Sequence, residues 1–374
     1  MTTFQQKAKL LQGLLTGAVA HTGPFYATID ITRRCNNQCV GCRYHSPIVN
    51  MPSPGDQDIL DVSLDLFKKI CNEIKAMGTK TLILMGEGEP FLHPLLCDFV
   101  SLAKKFGFHI TLLTNGTLLN KENILSLIDS RLDVLKISLW ASSAEEYGRN
   151  NHTHNSSKFG NIIDGIKLLT YLKTGKKSHL PSVELFHPIN RYNFQSIDAM
   201  VDVACTVGCD TLSFSPFRTR RRELVSLALS PDEEISVRLS LLRIKKRLNS
   251  LSIGHNIKTT LLRYKISESA WKKLPCYIGW FHVRLKVDGT VLLCDSCDLI
   301  MGNLKEDTLS EIWNNPAIRT FRRQTFTCKG LEAMLEAMSE HCDCGFCSYV
   351  GDNTRIHRLI KWFLPFVPQH RING

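Results

Sequence analysis

No apolar run in this 374-residue sequence reaches the ~18 residues that a membrane-spanning helix needs, so no transmembrane segment is expected. Acidic residues are the scarcer charge: 35 Asp and Glu stand against 46 Lys and Arg, a formal net charge of +11. That balance favours anionic partners, but neither basic run is interleaved with a nucleic-acid motif, so nucleic acid is not expected among them. Only about 25 residues precede the first strand, too few for a separate recognition domain. Within them Leu10, Leu11, Leu14, Leu15 and Val19 share one helical face, which argues for a helix rather than a cleaved signal. Cysteine is plentiful. Fourteen of them, several in close metal-like spacings, suit a reducing cytoplasm better than export.

Short β-branched runs alternate with helical patterns. Strands are expected at Tyr26 to Thr32, Thr79 to Met85, His109 to Thr114, Asp133 to Leu139, Ser182 to His187 and Thr211 to Ser215. Helices are expected at Val62 to Met77, Leu95 to Phe106, Lys121 to Ile128, Phe159 to Leu172 and Phe194 to Val207. This alternation implies an α/β fold with a parallel sheet, and six units are too few for a closed eight-stranded barrel. Directly after the first strand come Cys35, Cys39 and Cys42 in a C-x3-C-x2-C spacing. Structural zinc normally takes four protein ligands and a cubane iron-sulfur cluster four thiolates, so three cysteines leave one position for something exogenous. The other reading is three ligands of a zinc ribbon completed by a distant fourth.

The triplet resembles the radical S-adenosylmethionine (SAM) superfamily, whose cluster iron is chelated by the amino and carboxylate groups of SAM. The resemblance implies a partial (β/α)6 TIM-like barrel with ligands at the carboxyl ends of its strands, where the three cysteines lie. Gly86-Glu87-Gly88-Glu89-Pro90, after the second strand, resembles the Gly-Gly-Glu-Pro motif that holds the amino group of SAM, with Glu87 where glycine is commonest. Glycines there would let backbone approach a ligand closely. Asn115 and Ser138, at the ends of strands three and four, match positions where the superfamily places polar groups facing SAM. Trp140 replaces a common acidic residue and suits a stacking wall. Gly41 stands where an aromatic usually covers the adenine, so that packing must come from elsewhere, with Tyr44 one source.

After strand six, Phe217-Arg218-Thr219-Arg220-Arg221-Arg222 places four arginines in five residues. Their forked donors suit a phosphate or carboxylate, so Arg220, Arg221 and Arg222 are candidate substrate ligands, against the alternative of a solvated basic loop. Pro231 to Ser250 reads as a long amphipathic helix near a domain boundary. A hairpin follows, Phe281 to Val287 and Thr290 to Leu293 about Asp288-Gly289. With a helix at Leu304 to Trp313, this region resembles the SPASM or shorter twitch extension, a small α+β cysteine-rich domain for auxiliary 4Fe-4S clusters. Cys276, Cys294, Cys344 and Cys347 supply the four thiols of one such cluster, with zinc the alternative occupant. Cys297, Cys328 and Cys342 are left over for a second cluster, a substrate or neither. Cys71, Cys97, Cys205 and Cys209 fall on helical patterns as small hydrophobes.

The expected organisation is a helical segment at 1–25, the barrel at 26–225, a linking helix and connector at 226–272, the auxiliary domain at 273–350 and a tail at 351–374, whose Trp362, Phe363 and Phe366 would pack as a helix. The implied enzyme cleaves SAM with electrons from a flavodoxin- or ferredoxin-type donor and takes a hydrogen atom from its substrate. An anionic small molecule, of sugar, aminocyclitol or nucleotide-sugar type, is the leading expectation for that substrate. A ribosomally made peptide or protein side chain is the alternative, and a non-enzymatic zinc or iron-sulfur module is the reading from another class. Oxidation is expected over epimerisation. In the latter a free Cys297 thiol would return the hydrogen atom, which makes Cys297 the one candidate catalytic side chain.

Overall fold

A computed structural model of the chain describes residues 4–16, 18–49, 59–153, 155, 157–217, 219, 221–265, 274–328, 331, 333 and 347–360. Arg220, Cys342, Cys344 and the aromatic tail lie outside the described residues. In chain order the elements are α1 (Phe4–Thr16), β1 (Tyr26–Asp30), α2 (Leu64–Ala76), β2 (Thr81–Met85), α3 (Leu96–Lys105), β3 (His109–Thr114), α4 (Lys121–Asp129), β4 (Val134–Ser138), α5 (Ala144–Asn150) and α6 (Ser157–Gly175). There follow β5 (Ser182–Ile189), α7 (Ile197–Val207), β6 (Thr211–Pro216), α8 (Pro231–Ser250), β7 (Gly254–His255), α9 (Ile257–Lys265), β8 (His282–Leu285), β9 (Thr290–Cys294), β10 (Cys297–Asn303), α10 (Leu309–Ile312), α11 (Pro316–Thr325) and α12 (Val350–Ile360). This is an α/β fold with a mostly parallel sheet. No described helix is long and apolar enough to cross a membrane.

The chain divides into two compact units. One comprises residues 31–61 and 83–265. In it β3, β4, β5, β6 and β7 pair in that order, all parallel. Alternate side chains such as Ile110, Leu112, Leu135, Ile137, Val183 and Leu185 are fully buried, as period-2 strands between helices require. Each such side chain contributes about 1.5–3 kcal/mol of burial. Residues 226–265, expected within a linking helix and connector, group with this unit. Helix α8 starts on a capping box, Ser230 accepting from Glu233 N–H while Glu233 accepts from Ser230 N–H, with Pro231 at its first position.

The other unit comprises residues 1–30, 62–82 and 266–374. Here β8 lies parallel to β1, and β9 and β10 continue antiparallel from it. The turn at Gly289 has φ of 88°, a left-handed conformation that glycine adopts without strain. A buried ion pair locks β8 to β1: Arg284 Nε and Nη2 donate to the two carboxylate oxygens of Asp30 at 3.0 and 3.1 Å. The helix expected at Leu304 to Trp313 forms only as α10, because β10 runs to Asn303 and the helix opens on a Thr308–Glu311 capping box.

Candidate active site

The three clustered thiols sit on a loop fixed from several sides. Thr32 Oγ1 donates to Asp61 at 2.6 Å, Arg34 pairs with the same carboxylate at 2.5 Å, and Arg33 makes a buried ion pair with Glu87 at 2.8 Å. Residues 86–89 lace directly onto it, Gly88 N–H donating to the Thr32 carbonyl and Glu89 N–H to that of Arg34. A Cβ at Gly88 would stand 1.9 Å from the Arg34 oxygen, and one at Gly86 2.7 Å from the Thr32 oxygen. These glycines therefore let one backbone segment approach another. Glu87, the departure from the common motif, is the partner of Arg33, which accounts for a carboxylate in a glycine-rich turn.

Glu89 is buried and its carboxylate is occupied. It accepts from Thr114 Oγ1 at 2.7 Å, from Asn115 N–H at 2.7 Å and from Phe91 N–H at 3.1 Å. Burial raises its pKa while these donors lower it, the first effect being the larger. Asn115 in turn donates through Nδ2 to Asn36 Oδ1 at 2.8 Å, and so reaches the loop that carries Cys35. Ser138 accepts from the Trp140 indole N–H at 2.8 Å. Arg221 and Arg222 follow β6, and Arg222 is exposed.

Desolvation pushes all three thiols up, Cys35 to about 11, and each of Cys35 and Cys42 raises the pKa of Cys39 further. Half-buried thiols raised in this way ionise only against a compensating cation, which a cluster would supply. Backbone donors already face the sulfur: Tyr44 and His45 N–H approach Cys42 Sγ at 3.4 and 3.3 Å. Among the described residues no three His, Cys, Asp or Glu side chains converge tightly enough to share one metal ion. Thiols set apart but in electrostatic reach of one another suit separate irons of one cluster. The residues present fit the group.

Gly41 settles where the missing aromatic went. A Cβ there would meet Phe217 Cε2 at 2.6 Å and Trp140 Cζ3 at 2.9 Å. The two rings, packed edge to face at 5.9 Å, occupy the room beside the loop. Trp140 adopts a left-handed backbone, φ 60°, rare for a bulky residue, and Asn193 holds its carbonyl at 2.9 Å. Sequence reasoning missed Phe217 in this role. It also missed Asn37, Tyr147 and Asn151: Asn37 Nδ2 donates to the Tyr147 hydroxyl at 3.0 Å, and Cys39 Sγ donates to Asn151 Oδ1 at 2.9 Å. Tyr147 lies on α5, which no periodicity announced.

In the other unit Cys294 ends β9 in a buried position, and a nearby Cys347 together with burial pushes its thiol up. Burial raises the Tyr277 hydroxyl, and Cys328 and Cys276 each raise it further. Cys297 is buried and disulfide-bonded. Between these positions runs a polar chain: His282 Nδ1 contacts the Leu293 carbonyl, its Nε2 contacts both Thr28 Oγ1 and the Tyr349 hydroxyl at 2.9 Å, and Tyr349 donates to Asp295.

Residues 29–174 match the model of the radical SAM superfamily, and residues 276–344 match the SPASM iron-sulfur cluster-binding domain. The chain is a radical SAM enzyme with a C-terminal SPASM extension. Its cofactors are accordingly a 4Fe-4S cluster with SAM and auxiliary iron-sulfur clusters. The radical SAM enzyme is similar to the tungsten-containing aldehyde ferredoxin oxidoreductase cofactor-modifying protein of Pyrococcus furiosus, 24% identical over 79% of this chain and 83% of the relative. It is also similar to the antilisterial bacteriocin subtilosin biosynthesis protein AlbA of Bacillus subtilis, 23% identical over 88% of this chain and 66% of the relative. In fold it resembles Streptococcus suis SuiB bound to precursor peptide SuiA, with a TM-score of 0.63 and 14% identity over 84% of this chain and 69% of SuiB.

Proposed function

We propose that this enzyme modifies a side chain of a ribosomally made peptide or protein. Similarity to a bacteriocin biosynthesis protein over 88% of the chain carries the reading, and SuiB, of like fold, is known with its precursor peptide bound. These likenesses favour a peptide over the anionic small molecule that the sequence suggested. When bound, the cluster and SAM supply a carbon radical able to take a hydrogen atom from the substrate.

The chain's own residues have narrower tasks. Cys35, Cys39 and Cys42 would hold the cluster and leave one of its positions to SAM. Gly86 to Glu89 fix the loop that faces the amino group of SAM, with Glu89 holding Thr114 and Asn115 in register. Trp140 and Phe217 give the adenine a flat wall and keep water from the loop, with Ser138 fixing the indole. Cys276, Cys294, Cys344 and Cys347 hold auxiliary iron. Incubation of the anaerobically reconstituted enzyme with panels of precursor peptides and of nucleotide sugars tests the reading by intact mass. A peptide product two hydrogens lighter supports it. Turnover of a nucleotide sugar with none of any peptide sinks it.

A small substrate is the second reading, favoured by the likeness to a cofactor-modifying protein over 79% of the chain. In that case Arg220, Arg221 and Arg222 bind its anionic group.

A further inference from the structure

Helix α8 has two apolar faces. One is inward: Val237, Leu241, Ile244 and Leu248 are buried, and Arg243 and Arg247 tie a flank of the helix to Asp198 and Asp202 of α7. The other looks outward. Ile235, Leu239 and Leu242 are 52%, 61% and 52% exposed, and their spacing of four and then three residues sets them on one stripe of the helix, opposite the buried set. Single exposed leucines are ordinary, but three on successive turns of one face form a continuous apolar strip. The charges of α8 follow the same stripe. Its acids, Asp232, Glu233 and Glu234, all fall in the first turn, and from Val237 to Ser250 every charged residue is basic. In a heptad frame with Leu239 at a and with Ile235 and Leu242 at d, Arg238 and Lys245 take g, Arg243 takes e and Lys246 takes the next a. Arg238, Lys245 and Lys246 are exposed.

This pattern is one half of a coiled-coil seam, and the residues at e and g decide which helix such a seam accepts. A second copy of α8 would bring Arg238, Arg243 and Lys245 against their own counterparts in either orientation, so like charges disfavour self-pairing. An extended chain, whose side chains alternate every second residue, matches a stripe of three- and four-residue steps poorly, whereas the ridges of a helix interlock with it. We infer that the outward face of α8 is a docking surface for an acidic amphipathic helix of a partner protein. The apolar stripe of that helix packs on Ile235, Leu239 and Leu242, and its carboxylates meet Arg238, Lys245 and Lys246. None of these residues has a part in the site that holds SAM, so docking here leaves SAM cleavage itself unaltered.

The test uses the full-length, anaerobically reconstituted enzyme and a pair of synthetic peptides of about three heptads, both with Leu at a and d, one with Glu and the other with Lys at e and g. By fluorescence anisotropy the Glu peptide is expected to bind in the micromolar range and to weaken as salt is added, while the Lys peptide binds at least about tenfold more weakly. Leu239→Asp should raise the Kd of the Glu peptide about tenfold, equivalent to about 1.4 kcal/mol. Arg238→Glu combined with Lys245→Glu should reverse the order of the two peptides, which a loss of structure cannot do. Tyr171→Asp, at a side chain 74% exposed on α6, should change neither affinity. Dithionite-driven SAM cleavage should stay within about twofold of the parent throughout, since all these side chains are surface groups. The inference is overturned if the Glu peptide does not bind, if both peptides bind alike, or if the double variant weakens both. It is overturned in favour of self-association if the parent sediments as a dimer that Leu239→Asp breaks, and in favour of a lipid surface if the parent binds phosphatidylglycerol vesicles and not the Glu peptide.

Discussion

The two cysteine sites of this chain are built in opposite ways. Cys35, Cys39 and Cys42 lie within eight consecutive residues, and the structure's work is to hold that short loop with Arg33, Arg34, Gly86 and Gly88. In the other unit Cys276, Cys294 and Cys347 are spread over more than seventy residues, before β8, at the end of β9 and after α11, so that only tertiary structure could gather them. A ligand set written locally in sequence survives changes elsewhere. One assembled by tertiary structure depends on the whole unit.

The sharpest break of that comparison is to remove each set in turn. Cys35→Ala, Cys39→Ala or Cys42→Ala is expected to reduce SAM cleavage to background while auxiliary iron, counted on reconstituted protein, remains. A triple variant that still cleaves SAM like the parent would undo the reading of the loop. Next in size is Gly41→Phe. Its ring must displace Phe217 and Trp140, a clash costing about 1–3 kcal/mol, so SAM affinity measured by calorimetry should fall roughly tenfold or more. Adding Trp140→Ala should restore part of it, and an unaltered affinity in Gly41→Phe would remove the rings from this role.

Acid sharpens the comparison in another way, because His187 of the unit bearing the cysteine triplet is fully buried with neither ring nitrogen partnered. Burial lowers its pKa to about 3 from the usual 6.5. The unfolded chain then binds the proton more readily than the folded one. The stability contributed by neutral His187 is complete above pH 6.5 and is lost as pH falls toward 3, about 2 kcal/mol between pH 7 and 5. Denaturant unfolding at the two pH values should show a smaller loss for His187→Leu than for the parent. Equal losses would mean that His187 reaches water when the unit is folded.

Smaller effects are expected at the substrate. Replacing Arg220, Arg221 and Arg222 with Ala should weaken binding of the true substrate while sparing SAM cleavage in its absence. A single hydrogen-bonded cation contributes roughly 1.5–3 kcal/mol, so a silent triple variant would return the run to solvated surface. Smallest is Cys297→Ala, expected to leave SAM cleavage and an oxidised, deuterium-free product unchanged in deuterated water. Deuterium in the parent's product, lost in the variant, would favour epimerisation.

What was legible in the sequence follows the same division. Period-2 runs placed β3 at His109–Thr114 and set the other barrel strands to within about two residues, and an amphipathic run gave α8 its bounds. The Cys triplet was visible because its chemistry is local. The partner of Glu87 was not, since Arg33 lies more than fifty residues earlier and only the fold brings the two together. Gly41 signalled a missing aromatic, yet nothing nearby named Trp140 and Phe217 as its replacement. Helix α5 escaped because its seven residues, Ala144–Asn150, are too few to display a period.

The pair of Asp30 with Arg284 sets where this protein can be divided. Asp30 ends the first strand of the chain, and its partner Arg284 arrives more than 250 residues later. A fragment stopping at Lys265 would keep β1 and all three clustered cysteines but take the Arg284 guanidinium from the buried Asp30 carboxylate. Removing one member of a buried ion pair costs about 3–5 kcal/mol, a large part of what holds a domain together. The auxiliary segment is therefore no detachable module. A cut at the apparent domain boundary should yield an insoluble product, and nascent chain released before residue 284 has not yet acquired the arginine that pairs with its first strand.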